Sequence, residues 1–187
     1  KVTRNAESDF LFDSDDEEVF ILAWTTTPWT LPSNTALTAG PKVQYVKVKT
    51  INQYTEKPVS VVLAQDLVSK WMVAEEPKKG PKKPVILEKT EPFAGKKLEG
   101  IRYEQLLPFG NEIEDLHGNT DAFRVILGDF VTTEDGTGVV HTAPSFGADD
   151  RRAGMANGIG TLTLVDKQGK FGESVGPFSN RYVKNYK

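Results

Sequence analysis

Short runs rich in β-branched and aromatic residues, each closed off by Gly, Pro or Asp, constrain this chain more than any other feature. They cover 18–24, 43–50, 59–64, 85–90, 123–129, 138–143 and 161–166. Runs of this length and spacing predict a mainly β fold with a closed β-barrel core. The clearest period of two lies in the second run, where Val46 and Val48 alternate with Lys47 and Lys49. That pattern predicts a strand with one face in water. Helical signal is weaker: 65–76 spaces Leu67, Trp71 and Val73 near one face, and 148–158 ends on a glycine stop. These two segments are expected to be the few peripheral α-helices, covering the barrel from outside. At 187 residues the chain can bury one self-sufficient core, so a single cooperative domain over 1–187 is expected.

Charge and composition exclude several function classes. With 23 Lys+Arg against 26 Asp+Glu the formal charge is −3, far from the positive field of a protein that grips nucleic acid unaided. Any such contact is expected to be local. Lysines concentrate in PKKGPKKP (77–84), where Pro and Gly prevent regular structure, so an exposed loop is predicted. The acidic run DSDDEE (13–18) reads as a solvated turn with no site. There is no cysteine, hence neither a disulfide framework nor a thiol nucleophile. The apolar runs are too short to span a bilayer and the first residues lack a signal-peptide core, so no membrane role and a cytoplasmic location are expected. Two distant histidines cannot supply a zinc-ligand set, no G-x-S-x-G elbow occurs, and neither GTGVVH nor GKFGES is a nucleotide loop. No metal and no cofactor are expected.

Two stretches hold the candidate chemistry. In AWTTTPWTLPSNTAL (23–37), Pro28 and Pro32 disfavour the α region at Thr27 and Leu31, so the chain is expected to leave its strand without curling into a helix. If Thr25, Thr26 and Thr27 stay extended, Thr25 and Thr27 share one face and Thr26 takes the other. Hydroxyls held on a stiff ribbon suit a ligand with sugar hydroxyls, ring nitrogens or an ester carbonyl. Trp29 offers an aromatic face to a base, with Thr30 beside it, and Asn34 an amide. The same residues also have ordinary uses: Thr as a strand former, Trp as core, Asn as a turn cap.

The second stretch, EDGTGVVHTAPSFGADDRR (134–152), holds His141, Thr142 and the aspartate pair Asp149 and Asp150 at the start of a predicted helix. Carboxylates there cap free N–H groups and complement the helix dipole. One facing a pocket would instead hold a substrate ammonium. His141 reads either as a neutral structural histidine or as a group that orients a reacting atom near neutral pH. His117, among turn residues, has no role.

Together WTTTPWTLPSNTAL and GTGVVHTAPSFGADD resemble the two signature stretches of the editing domain of isoleucyl-tRNA synthetases, connective polypeptide 1. In valyl and leucyl relatives the first looks more like T-T-R-P-[ED]-T and the second ends in an H-D-x-x-D-like sequence; Thr27 and HTAPSFGADD here look isoleucyl. The resemblance extends over nearly the whole chain. The synthetase signatures H-I-G-H and K-M-S-K-S are absent, so it implies an editing module excised from a larger synthetase, with no synthetic activity. The implied reaction is hydrolysis of the ester of valine misattached to tRNA(Ile), with isoleucine excluded by its size. One methylene is worth only ~1 to 3 kcal/mol to a synthetic pocket, a limit for which isoleucyl synthetases are themselves the usual example.

By the same resemblance Thr25, Thr26 and Thr27 border the terminal adenosine and the ester, and Trp29, Thr30, Asn34 and Thr142 complete the binding wall. His141 lines the amino-acid side chain, Asp150 holds the α-ammonium, and Asp149 is left to cap the helix. Ser145 and Phe146 fall where relatives vary. A positioned water, without metal or covalent intermediate, is the implied nucleophile. The implied partners are the 3′ end of tRNA(Ile) carrying valine and the rest of the synthetase, with no membrane and a monomeric domain. Two alternatives stand beside this: a module that binds a tRNA 3′ end without cleaving it, and an editing domain of a valyl or leucyl enzyme.

Overall fold

The computed structural model describes residues 1–75, 83–109 and 121–184. Of the lysine-rich loop expected at 77–84 only Lys83 and Pro84 fall among them, and His117 lies outside. The strands are β1 (Val19–Ile21), β2 (Ala36–Ala39), β3 (Gln44–Ile51), β4 (Pro58–Ala64), β5 (Glu88–Lys89), β6 (Phe93–Ala94), β7 (Arg124–Leu127) and β8 (Val139–Thr142). The α-helices are α1 (Val68–Trp71) and α2 (Ala148–Ala156), joined by short 3₁₀ turns that include Pro28–Ser33. The expectation of a mainly β chain with few helices therefore holds.

Among the described residues no sheet closes into the expected barrel. One sheet has the order β1-β4-β3-β5, with β6 also on β3, and the other has the order β7-β2-β8. Closure needs long strands with a continuous stagger, and three of the strands here, β1, β5 and β6, have only two or three residues. Residues 161–166, read as a strand, contribute isolated bridges instead, Val165 pairing with Phe171.

The chain divides into two compact units: Lys1–Trp24, Thr38–Glu104 and Val125–Val140 form one, and Thr25–Leu37, Gln105–Arg124 and His141–Lys187 the other. The first is built on the antiparallel pair β3 and β4, in register from Tyr45 opposite Ala64 to Ile51 opposite Pro58. β1 runs parallel to β4. Val46, Val48, Val59, Val61, Leu63, Val68 and Met72 form its core, with Phe20, Leu22, Trp71 and Ile86 packed against them. The helix expected over 65–76 is cut to α1, because at Val73 the backbone bonds Pro84 and Ile86 instead of its own preceding turn. Tyr45 is fully buried, donates to the Gly138 carbonyl at 2.5 Å and accepts from the Gly40 N–H; burial pushes its pKa up to about 12. Gly138 itself has φ +75, and a Cβ there would lie 2.4 Å from that of Ala64, so both conformation and space require glycine.

The wet face predicted for β3 is not wet at Lys47, which is only 2% exposed. Its ammonium lies 2.6 Å from Asp13 and 3.1 Å from Glu17. Lys49 joins Asp13 to Glu88. Ser60 donates to Glu17 at 2.5 Å, and so does the Asp13 N–H. Asp13 and Glu17 of the acidic run read as a solvated turn are thus bound to the sheet, since a buried ammonium demands carboxylate partners, while Ser14, Asp15 and Asp16 between them are exposed as expected. Hydrogen bonds from Lys47 and Lys49 hold the Asp13 carboxyl below the usual range. Burial raises that of Glu17, but the Asp13 N–H, Ser60 and Lys47 outweigh it and the net shift is downward.

The second unit has its own core of Leu162, Leu164, Phe171 and Val175, with Phe109, Val165 and Val183 around it. It also carries α2, residues 25–37 of the first stretch singled out from the sequence and residues 141–152 of the second.

Candidate functional site

All the site residues expected from sequence lie in the second unit. Thr25–Thr27 form no strand, and the chain bends at Thr26, yet the hydroxyl oxygens of Thr25 and Thr27 lie 3.2 Å apart. The Thr27 N–H closes a local turn by donating to Thr25 Oγ1 at 3.0 Å, a habit of hydroxyl side chains in loops. Thr26 is exposed. Beyond Thr27 the expectation that the prolines would prevent a helix fails, because Pro28–Ser33 forms a 3₁₀ helix with Pro28 at its start. Proline is suited to that first position, where no N–H is needed and φ is already set. Thr27, just before it, keeps the non-helical φ −123, ψ 66.

The 3₁₀ turn carries Thr30 inward. Its hydroxyl donates to the Thr27 carbonyl at 2.8 Å and lies 2.9 Å from Nε2 of His141. On the other side of the ring, Nδ1 of His141 is 2.8 Å from the Asn34 amide nitrogen. Asn34 Nδ2 also donates to the Ala36 carbonyl at 2.8 Å and more weakly to the Thr142 carbonyl at 3.4 Å. The Thr35 N–H reaches the same Thr142 carbonyl. His141 is 8% exposed, and burial lowers its pKa to about 4. The imidazole is therefore neutral at physiological pH.

Asp150 sits in the first turn of α2, and one of its oxygens accepts the Ala143 N–H at 2.9 Å. Burial raises its pKa, and Asp149 adds to that, against the pull of the Ala143 bond. A half-buried carboxylate of raised pKa gains from a cation placed beside it. The capping role expected of Asp149 is not seen: the cap position is Gly147, just before α2, with no side-chain cap, and Asp149 pairs with Arg152 one turn on. Its charge still lies at the favourable end of the dipole.

Three contributors were missed in the sequence. A Cβ on Gly147 would lie 3.2 Å from Cγ of Asp150, and one on Gly154 only 3.0 Å from Pro144. Both glycines give α2 room beside the His141 stretch, and glycine around an aspartate pair was the available signal. The third is Lys184, whose ammonium lies 5.0 Å from the centre of the Trp29 ring. Nothing in the sequence joins residues so far apart. Among the described residues no group of His, Cys, Asp or Glu could hold a metal ion, and no helix is long and apolar enough to cross a membrane.

No family model matches the chain. Among curated proteins, it is 46% identical over 184 residues to the isoleucine–tRNA ligase of Cytophaga hutchinsonii, covering 90% of this chain and 16% of that protein. To the isoleucine–tRNA ligase of Bacteroides fragilis it is 51% identical over 157 residues, 81% of this chain and 13% of the relative. The chain thus spans about a seventh of the length of these relatives, and over that length it is homologous to isoleucine–tRNA ligases. Among solved structures, GlLeuRS-CP1 aligns with a TM-score of 0.54 at 18% identity, over 80% of this chain and 51% of its own. The P. knowlesi cytosolic leucyl-tRNA synthetase editing domain aligns with a TM-score of 0.51 at 16% identity, over 80% and 56%. The fold is that of these editing domains.

Proposed function

We propose that this chain, homologous to a segment of isoleucine–tRNA ligases and folded as a synthetase editing domain, hydrolyses the ester of valine misattached to tRNA(Ile) and spares isoleucyl-tRNA(Ile). Residues 1–187 then act as one editing domain of a larger cytoplasmic synthetase, monomeric as a domain, with the tRNA 3′ end and the rest of that enzyme as partners. The observation that carries the reading is the convergence in one unit of the Thr25/Thr27/Thr30 hydroxyls, a buried neutral His141 and the Asp150 carboxylate.

The roles follow from the chemistry of each group. Asp150, with one oxygen fixed by the Ala143 N–H, holds the substrate ammonium, and the cation offsets the burial that raises its pKa. Thr25, Thr26, Thr27 and Thr30 align the terminal adenosine, the ester and a water, while Trp29 offers a face to the base and Asn34 and Thr142 complete the wall. His141 bounds the amino-acid side chain as an uncharged surface. None of these groups is a strong base at neutral pH, so the rate comes from orientation of the water and from hydroxyl and N–H donors at the developing oxyanion.

The test is hydrolysis of valyl-tRNA(Ile) by the chain, with isoleucyl-tRNA(Ile) as control. Selective loss of valine is expected. An Asp150→Ala variant is expected to lose about 30-fold in kcat/KM, the value of a charge-assisted hydrogen bond of about 2 kcal/mol. Tight binding of a valyl-adenosine analogue with no turnover by the wild type would replace the esterase by the binding module.

A further inference from the structure

We infer that Asn34 is a positioning residue: it fixes His141 as the tautomer with its proton on Nε2 and, through that ring, orients the Thr30 hydroxyl against Thr27. The argument starts from an amide nitrogen, which can only donate. Asn34 Nδ2 faces Nδ1 of His141 at 2.8 Å, so Nδ1 must be the acceptor and the ring proton must be on Nε2. The amide orientation is itself determined, because the same nitrogen faces the carbonyls of Ala36 at 2.8 Å and Thr142 at 3.4 Å. Turning the amide over would place its oxygen against those two acceptors, with no proton between them.

The rest of the chain then has one polarity. Nε2–H donates to Thr30 Oγ1 over 2.9 Å, which leaves the Thr30 proton for the Thr27 carbonyl at 2.8 Å. A direction of donation thus runs from Asn34 through His141 and Thr30 to the backbone of Thr27. Asn34 and His141 are almost wholly buried, where a mismatched donor is costly. Neither ring nitrogen is available as a base, since Nδ1 is committed as acceptor and Nε2 as donor. An imidazolium would set Nδ1–H against the Asn34 N–H.

The tautomer rests on geometry alone; its bearing on hydrolysis rests on the editing function proposed above. The experiment is a long-range ¹H–¹⁵N correlation spectrum of the ¹⁵N-histidine-labelled chain at neutral pH, with the two histidines assigned through a His117→Gln variant. The expected spectrum for His141 is a neutral ring protonated at Nε2, and a ring protonated at Nδ1 would overturn the inference without touching the editing function. Asn34→Asp replaces the donor by an acceptor of the same shape. It is expected to bring a proton onto Nδ1 and to lower kcat on valyl-tRNA(Ile) by about tenfold or more through misplacement of Thr30 and Thr27. A variant that folds and keeps the wild-type tautomer, or that changes tautomer and keeps its kcat, also overturns the inference. If the variant does not fold, the wild-type spectrum alone decides the tautomer. A wild type with the expected tautomer and no hydrolysis would remove the editing function and leave the tautomer standing.

Discussion

Each unit buries a titratable side chain, and the two do it in opposite ways. The Lys47 ammonium in the first unit is paired with Asp13 and Glu17, so the burial of charge is compensated by charge. His141 in the second is kept neutral by burial and is held by an amide and a hydroxyl. The first arrangement ties a polar segment to a sheet. The second places an uncharged ring in the unit that also carries the Asp150 carboxylate.

The comparison is most strongly broken at Lys47. Lys47→Ala strands the Glu17 carboxylate, 10% exposed, and is expected to cost about 3 kcal/mol by urea unfolding. Adding Glu17→Gln should restore much of that, and a double variant no better than the single would mean that packing and not charge holds the segment. The next effect is a pH window. The folded pKa of His141 is about 4, below its unfolded value of ~6.5. Above ~6.5 the ring is neutral in both states and stability is undiminished. As pH falls from ~6.5 towards 4 the unfolded chain takes up a proton that the folded one refuses, and stability declines by up to about 3 kcal/mol. His141→Gln should flatten that part of the stability–pH curve. The carboxylates around Lys47, held low, give way only at more acid pH, so the two regions should fail in succession. The smallest effect is expected at Lys184: Lys184→Ala removes the cation over Trp29 and should change stability by no more than about 1 kcal/mol, with tryptophan fluorescence reporting the altered ring environment.

How far these regions could be read from the sequence depends on the range of the forces involved. The strand character of β3 was visible because valines at alternate positions declare a buried face, whereas its pairing with β4 was not. The partners of Lys47 were not, because alternation marks a lysine as outward and cannot show that a distant acidic run folds over it. β2, with the sequence ALTA, carries no strand signature of its own and is buried by its neighbours. At 161–166 the opposite happened: apolar alternation was real, and it serves the core of the second unit as Leu162 and Leu164 rather than a ladder. The barrel was inferred by adding such runs together, and closure is a property of length and stagger that no single run displays. At the candidate site, residue types and spacing singled out threonines, His141 and Asp150, and all of them fall in the second unit. The partners of each hydrogen bond, the neutrality of the ring and the pairing of Asp149 with Arg152 depend on distances of a few tenths of an ångström.

The 3₁₀ turn over Pro28–Ser33 has one more consequence, which concerns chain length. In such a turn residues three apart fall into line, and Thr30 bonds the Thr27 carbonyl while its oxygen meets His141. A residue added or removed between Thr27 and Thr30 would turn the threonine by about 120° and break both contacts at once. The count of residues in this turn is therefore fixed, and insertions and deletions tolerated in most surface loops should be forbidden here.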